Sequence, residues 1–351
     1  MKQLSALFIS LLPVLLLALA VSALTVSIQA KTLEQQFTKK LKTKPREQFM
    51  TLTVENDLFG SGDDRNYTNG VRLGWFDTNA VAPAAARIID PLIPMFSVND
   101  TTSVHYSLGQ NLYAPRNLLA KTPNPKDRPY AGFIYGSMGL TSITDNHLDD
   151  IELTVGMIGS AALGEQTQKF VHNLINSDDP KGWDHQLKNE PALMASWQRL
   201  WPEAYTAEIG NLHFRTSPYG GATLGNVYTY ANSGVMLQLV PKDSKWQGMP
   251  LRVRPAMPGS GYFSVPENEF SWSVFAGLEG RALARNIFLD GNSFRDSPSV
   301  DKKLFVGDAN IGLAFAYGKT QISYTLNYRS EEFHGQDGSD LFGAVSLGHR
   351  F

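Results

Sequence analysis

The sequence predicts an all-β protein, a transmembrane antiparallel β-barrel of about 12 strands with a helical extracellular loop. Three observations predict it. Apolar residues alternate with small or polar ones in stretches of about ten residues from Gln48 onward. The chain opens on a secretion-type leader and contains no cysteine. It ends in the period-two stretch AVSLGHRF, which places Val345, Leu347 and His349 behind a terminal Phe351.

The leader is residues 1–30. Its only charge is Lys2, followed by an apolar run from Leu7 to Leu24. "VSA" and "IQA" place cleavage after Ala23 or Ala30. A single membrane anchor is the competing reading, because the run approaches the roughly 18 residues at which a span begins. Residues 31–47 are basic and polar and form a lead-in to a barrel at 48–351. A net charge of −2 gives no electrostatic case for nucleic-acid binding. No second apolar run of about 20 residues follows, so any further crossing must be made by strands.

Those strands are legible by face. Met50, Leu52 and Val54 oppose Thr51, Thr53 and Glu55, and Val71, Leu73 and Trp75 oppose Arg72, Gly74 and Phe76. The pattern recurs at Val104–Gly109, Ile151–Met157, Trp272–Glu279 and Ile322–Tyr328. Trp75, Tyr113, Tyr135 and Tyr328 lie at strand ends, as interfacial aromatic girdles require. A soluble β-sandwich also alternates. The aromatic-terminated last strand, which resembles the closing strand of bacterial outer-membrane barrels, favours the membrane barrel.

One segment breaks the pattern. Leu163 to Trp201 is long and charged, with Phe170, Val171, Leu174 and Ile175 at helical spacing and Asp178-Asp179-Pro180 ending the run. It reads as an ordered extracellular loop carrying one or two amphipathic helices. Loops longer than about 15 residues are usually functional or disordered.

Candidate chemistry begins in TVENDLFGSGDDRNYTNGVRLGWF, Thr53 to Phe76. A hairpin needs only about two to five turn residues, yet Asn56 and Asp57 end one strand and Thr68 and Asn69 begin the next. Pairing would bring a carboxylate, two amides and a hydroxyl onto one patch of wall. Such a set suits an oxygen-ligated cation such as Ca²⁺ and amide donors to an oxyanion. The plain alternative is a polar turn; an EF-hand is excluded, because Gly and Glu are missing at its required positions. His172 lies in the helical segment among Phe170, Val171 and Leu174. It is either a packed helix-edge residue or a general base, with Asp178 six residues on.

The stretches VENDLFGSGDDRNYTNGVRLG, GQNLYAPRN, DRPYAGFIYGSMGL and VHNLINSDDPKGWDHQLKNEP, in this order, resemble the lipid A 3′-O-deacylase (LpxR) family of outer-membrane enzymes over most of the chain. The resemblance implies a twelve-stranded, Ca²⁺-requiring barrel. Its substrate would be lipopolysaccharide in outer-membrane lipid, from which it hydrolyses the ester-linked 3′-acyloxyacyl group of lipid A. It implies Asp57 as a metal ligand, Asn56 as a contact to the ester, Thr68 at a Thr/Ser position and His172 as the base. The family's usual Glu falls on Asp178, so the second metal ligand stays open between Asp178 and Asp179. The substrate-contacting lysine has no clean match; Lys121 and Lys126 are equal candidates. Asn69 and a phosphate-binding Arg128 are of second rank, and Arg128 alternatively anchors a loop by an ion pair. The expected mechanism is direct attack by a His172-activated water, in a monomer. The alternatives are an outer-membrane phospholipase-like serine esterase, for which no His-X-Ser-Asn-Gly-like stretch is present, and a non-catalytic barrel or pore.

Overall fold

The computed structural model describes residues 32–35, 38, 47–60, 66–78, 95–242, 244, 253 and 269–351, without the side chains of 66–68. The signal peptide expected at 1–30 lies outside these residues, as does most of the lead-in. Its described part meets the wall: the Leu33 N–H donates to Asn146 Oδ1 (3.1 Å) and the Glu34 N–H to the Asp145 carbonyl (3.0 Å).

The first strands are β1 (Gln48–Asn56), β2 (Asn66–Asp77), β3 (Ser103–Ala114), β4 (Ala131–Thr144), β5 (His147–Ile158) and β6 (Glu190–Leu200). They are followed by β7 (Tyr205–Ile209), β8 (Leu212–Gly225), β9 (Tyr228–Pro241) and β10 (Phe270–Asn286). The last are β11 (Phe305–Tyr317), β12 (Thr320–Arg329) and β13 (Asp340–Arg350). Neighbours in sequence other than β6 and β7 pair antiparallel, β13 returns to β1, and β6 pairs with β8 from Met194↔Gly225 to Leu200↔Tyr219. The sheet therefore closes as a 12-stranded circle, and the short β7 pairs only with β8. Closure leaves no edge in lipid, the condition for a strand-built span. No helix among the described residues is long and apolar enough to cross a membrane.

The alternation sorts side chains as the sequence predicts. Met50, Leu52, Leu73 and Trp75 face outward, while Thr51, Thr53 and Arg72 are buried in the lumen. Lumenal charges pair with one another: Arg72 Nη2 meets Glu152 at 2.6 Å, and Arg281 and Arg329 converge on Asp308 at 2.5 and 2.8 Å. A charge in a low-dielectric interior needs such a partner.

At the end opposite the termini, a cluster including Tyr113, Phe133, Tyr135, Tyr228 and Phe342 packs across the lumen. The helical turn α2 (Ile287–Asp290) folds into it, burying Ile287, Phe288 and Leu289 completely. Tyr113 stacks on Phe288 at 4.0 Å. A packed apolar cluster here speaks against a water-filled pore.

Two sequence expectations need correction. Tyr113 and Tyr135 are not girdle residues: both occupy inward positions, with hydroxyls bonded to Tyr228 and to the Val253 carbonyl. A place at a strand end does not fix a face; register does. Trp75, with Tyr106 beside it at 6.4 Å, does face out. The irregular segment also stops short of Trp201. Residues from Glu190 form β6, whose Ala192, Met194 and Ser196 alternate inward with outward Leu193. Its charged flanks mask a period of two.

Candidate functional site

The site lies on the outer face of the wall. Asn56 pairs with Asn69 across β1 and β2, and Asn69 with Leu112 across β2 and β3. Asn56 continues the outward series of Met50 and Leu52, and Asn69 that of Leu73 and Trp75. Two amides thus stand where lipid-facing residues belong, and both are buried because a helix covers them.

That helix is α1 (Gly164–Ile175). The Gln110 side chain of β3 donates to the Ala162 carbonyl (2.6 Å), fixing the turn that precedes it. Its buried residues are Gly164, Gln168 and His172, spaced four apart and so on one stripe. Phe170 and Leu174 are exposed on other faces, while Ile175, exposed at the helix end, continues the stripe. The helix therefore turns polar side chains to the protein and leaves Phe170 and Leu174 exposed beside Gln166 and Asn173, an amphipathic arrangement that suits a helix at a lipid surface. This also decides the surroundings of His172: it does not pack among Phe170 and Leu174, but points to the wall.

The helix ends through Asn176 in the left-handed region (φ 55°), and the N–H groups of Asn176 and Ser177 both reach the His172 carbonyl. The chain then turns back, and the Asp178 carbonyl lies 2.5 Å from His172 Nδ1. Nδ1–H donates to that oxygen, which puts the basic lone pair on Nε2. Beyond it the chain is strapped to the β3–β4 loop. The Lys181 N–H donates to the Leu118 carbonyl (2.8 Å), the Leu187 N–H to the Tyr130 carbonyl (2.9 Å), and Trp183 packs on Tyr130 at 4.9 Å. Trp183 Nε1–H donates to Gln168 Oε1 (2.7 Å). The DRPYAG motif thus serves α1: Tyr130 carries Trp183, and Gly132 leaves room for the Gly164 backbone, 3.1 Å from where a Cβ would stand.

A cavity of about 10 Å³ is lined by Asn56, Leu58, Asn69, Leu112, Gln168, Val171, His172 and Ile175. It is about the size of one water. The structure therefore brings His172, Asn56 and Asn69 together. Asp57, next to Asn56, is buried in a 3₁₀ turn, Asp57–Phe59, where Asn56 Oδ1 and Asp57 Oδ1 accept from the Leu58 N–H at 2.8 and 2.9 Å. Thr68 is in β2, but its side chain is outside the description. Asp178 meets His172 through its main chain, and the carboxylates of Asp178 and Asp179 are exposed. Among the described residues no group of three or more His, Asp or Glu clusters as a metal site.

Sequence reasoning missed Gln168. It is buried, lines the cavity and has no protein hydrogen bond at Nε2 among the described residues. Its signal was its place one turn before His172 on the same stripe. Arg128, by contrast, is no surface phosphate ligand. It is buried inside the barrel, where Nη2 donates to Glu332 at 2.5 Å. Lys126 lines a separate cleft of about 530 Å³ at the end opposite the termini, and Lys121 is exposed on the same β3–β4 loop.

A closed antiparallel barrel with a buried histidine held against two amides on its lipid-facing wall defines an integral outer-membrane protein with a site at the bilayer surface. The chain belongs to the LpxR family: the family model for outer membrane protein LpxR matches residues 14–351. Its structure resembles LpxR from Salmonella typhimurium, with a TM-score of 0.68, 19% identity, and coverage of 86% of this chain and 99% of that one. That likeness establishes the fold. The β domain of the Bordetella autotransporter BrkA (TM-score 0.41, 10% identity, 88% and 99% coverage) also matches. So does the translocator domain of NalP from Neisseria meningitidis (TM-score 0.35, 9% identity, 91% and 93% coverage). No curated protein sequence matches the chain.

Proposed function

We propose that this protein is a lipid A deacylase that hydrolyses the ester-linked 3′-acyloxyacyl group by direct attack of a His172-activated water. The observation that carries this reading is the buried His172, tied at Nδ1 and set against Asn56 and Asn69 on the face that meets lipid. A lumenal site would serve a soluble substrate; an outer-wall site is reached from the bilayer. The described lining residues include no Ser or Cys, which supports a nucleophile from solvent over a serine-type acyl-enzyme.

Each residue then has a role. His172 Nε2 takes the proton of the attacking water, while the Asp178 carbonyl holds the ring and stabilises the imidazolium that forms. Asn56, Asn69 and Gln168 offer amide N–H donors to the ester oxygen as charge develops on it. Burial under α1 lowers the local dielectric and strengthens those contacts. The buried Asp57 carboxylate beside amide oxygens is a donor set that fits a hard cation, and Ca²⁺ accepts carbonyl and amide oxygens as well as carboxylates. Asp57 would hold it together with Asp178 or Asp179. When bound, Ca²⁺ would supply positive charge to the oxyanion.

The test is mass spectrometry of lipid A incubated with purified, folded protein, with Ca²⁺ or with chelator. The wild type should release one acyloxyacyl group only with Ca²⁺. His172→Gln should lose about 10²-fold or more in rate, the usual worth of a general base, and Asp57→Ala should raise the Ca²⁺ needed. Intact lipid A with wild-type protein, or full rate in folded His172→Gln, would overturn the reading.

A further inference from the structure

Two elements lie against the outer wall, one on each side of the site, and both are seated on glycine. Across the strands, Gly132, Leu112, Asn69, Asn56, Gly343 and Leu326 pair in register and so stand in one outward row. At one end Gly132 carries the start of α1. At the other, Gly343 carries the turn Asp57–Phe59: a Cβ there would stand 2.5 Å from Phe59 Cβ and 2.6 Å from its carbonyl oxygen. A Cβ on Gly60 would stand 2.7 Å from the Phe342 Cα. The turn therefore folds outward and down over β13 instead of standing free at the rim. Tyr324 of β12, 265 residues away in sequence, donates its hydroxyl to the Phe59 carbonyl at 2.6 Å.

The consequence is that the small cavity is walled on two sides. Its floor is Asn56, Asn69 and Leu112. One wall is α1, lined by Val171 and Ile175 with Ile175 exposed at its lip; the other is the turn, with Leu58 and Phe59 exposed. Polar donors at the base and apolar side chains on both lips match an ester carbonyl whose hydrocarbon chains run out over the lips. We infer that the turn Asp57–Gly60 is the second wall of an acyl-chain groove, in which Leu58 and Phe59 set the chain length accepted. Tyr324 and Gly343 are the positioning residues that hold this wall. The inference rests on the hydrolase reading for its substrate.

The test compares wild type, Phe59→Ala, Tyr324→Phe and Gly343→Ala, each shown to fold by heat-modifiable migration. The substrates are lipid A preparations with ester chains of stepped length. Phe59→Ala should change the ratio of kcat/KM between long and short chains by about fourfold for each substrate methylene that Phe59 no longer covers, the factor one buried CH₂ gives. Tyr324→Phe and Gly343→Ala, which release or displace the turn, should shift the same ratio, and Phe59→Leu should restore part of it. A second measurement is independent of activity. In vesicles of brominated phosphatidylcholine, Phe59→Trp should add fluorescence that the bromines quench. Folded variants with the wild-type length profile, or unquenched Trp emission, would overturn the inference. A wild type inert toward lipid A would defeat the hydrolase reading by itself, and quenching would still decide whether the turn faces acyl chains.

Discussion

Glu332→Gln should destabilise the barrel by about 3–5 kcal/mol, the usual effect of breaking a fully buried ion pair from one side. The Arg128 and Glu332 side chains are 0% and 3% exposed, and Nη2 meets the carboxylate at 2.5 Å. Arg128 Nε and Nη1 have no protein partner among the described residues, and the guanidinium lies 5.5 Å from the Tyr113 ring centroid. Glutamine keeps the shape and removes the charge, leaving a buried cation with only the more distant Asp340 to oppose it. Three kcal/mol is more than a hundredfold in the folding equilibrium. The pair Arg116–Asp337, with side chains 54% and 72% exposed, is the internal control; Arg116→Ala should change stability by no more than about 1 kcal/mol. Arg128→Met with Glu332→Gln should recover much of the loss, because removing both charges leaves none unpaired. Urea unfolding in vesicles, followed by band shift and tryptophan fluorescence, measures all four. A Glu332→Gln barrel within about 1 kcal/mol of wild type would refute the argument. A folded double variant that no longer hydrolyses lipid A would return Arg128 to the substrate. The same pair predicts a pH dependence. Burial raises the Glu332 pKa, but Arg128, Arg329 and Arg281 outweigh it and hold it below the ordinary value of 4.5. A depressed folded pKa means the contribution is complete above that value and is lost as the pH falls through the folded pKa. The wild type should therefore lose stability in acid relative to the double variant, and not near neutrality.

Two further predictions concern the site. Gln168→Met, which keeps volume and deletes the amide, should lower kcat by about 10²-fold, as loss of an oxyanion donor does; an unchanged kcat in steady-state lipid A hydrolysis would leave Gln168 only as the partner of Trp183. Asp178→Asn should raise the Ca²⁺ required and Asp179→Asn should not, since Asp178 stands at the position where the resemblance implies the ligand, six residues after His172; the reverse result in a Ca²⁺ titration of activity would move the ligand to Asp179.

The barrel was legible because its two solvents impose two faces on every strand. From Met50 to Val54, and again from Ile322 to Tyr328, period two alone fixes which side meets lipid. The helix was legible too: apolar spacing and Asp178-Asp179-Pro180 located it, and it ends at Ile175. What the pattern did not carry was the orientation of that helix. In water the apolar stripe of a helix packs on the protein, which sets His172 at the edge of a Phe170–Leu174 cluster. Beside a bilayer the rule inverts: Phe170 and Leu174 face lipid, and Gln168 and His172 turn to the wall. Tyr113 and Tyr135 failed for a related reason, since an aromatic residue at a strand end suits either a girdle or a lumenal cluster, and only register decides.

The question raised by Asn56 and Asn69 is answered by the same physics. An amide facing hydrocarbon without partners loses several kcal/mol of hydrogen bonding. A lipid-facing position should therefore be apolar, as Met50, Leu52, Leu73 and Trp75 are. Carrying that alternation forward two residues from Val54 to Asn56, and back two from Val71 to Asn69, puts both amides on the outer face by strand period alone. Two adjacent breaches of the pattern at one height require a cover, and α1 is that cover. A turn that merely needed polar residues would place them beyond the strand ends or toward the lumen, where solvent or charge satisfies them. Outward placement beneath a helix whose hidden stripe is Gln168 and His172 instead encloses polar groups at the edge of the lipid. Such an enclosure is what the proposed chemistry on a molecule lying in the membrane would require.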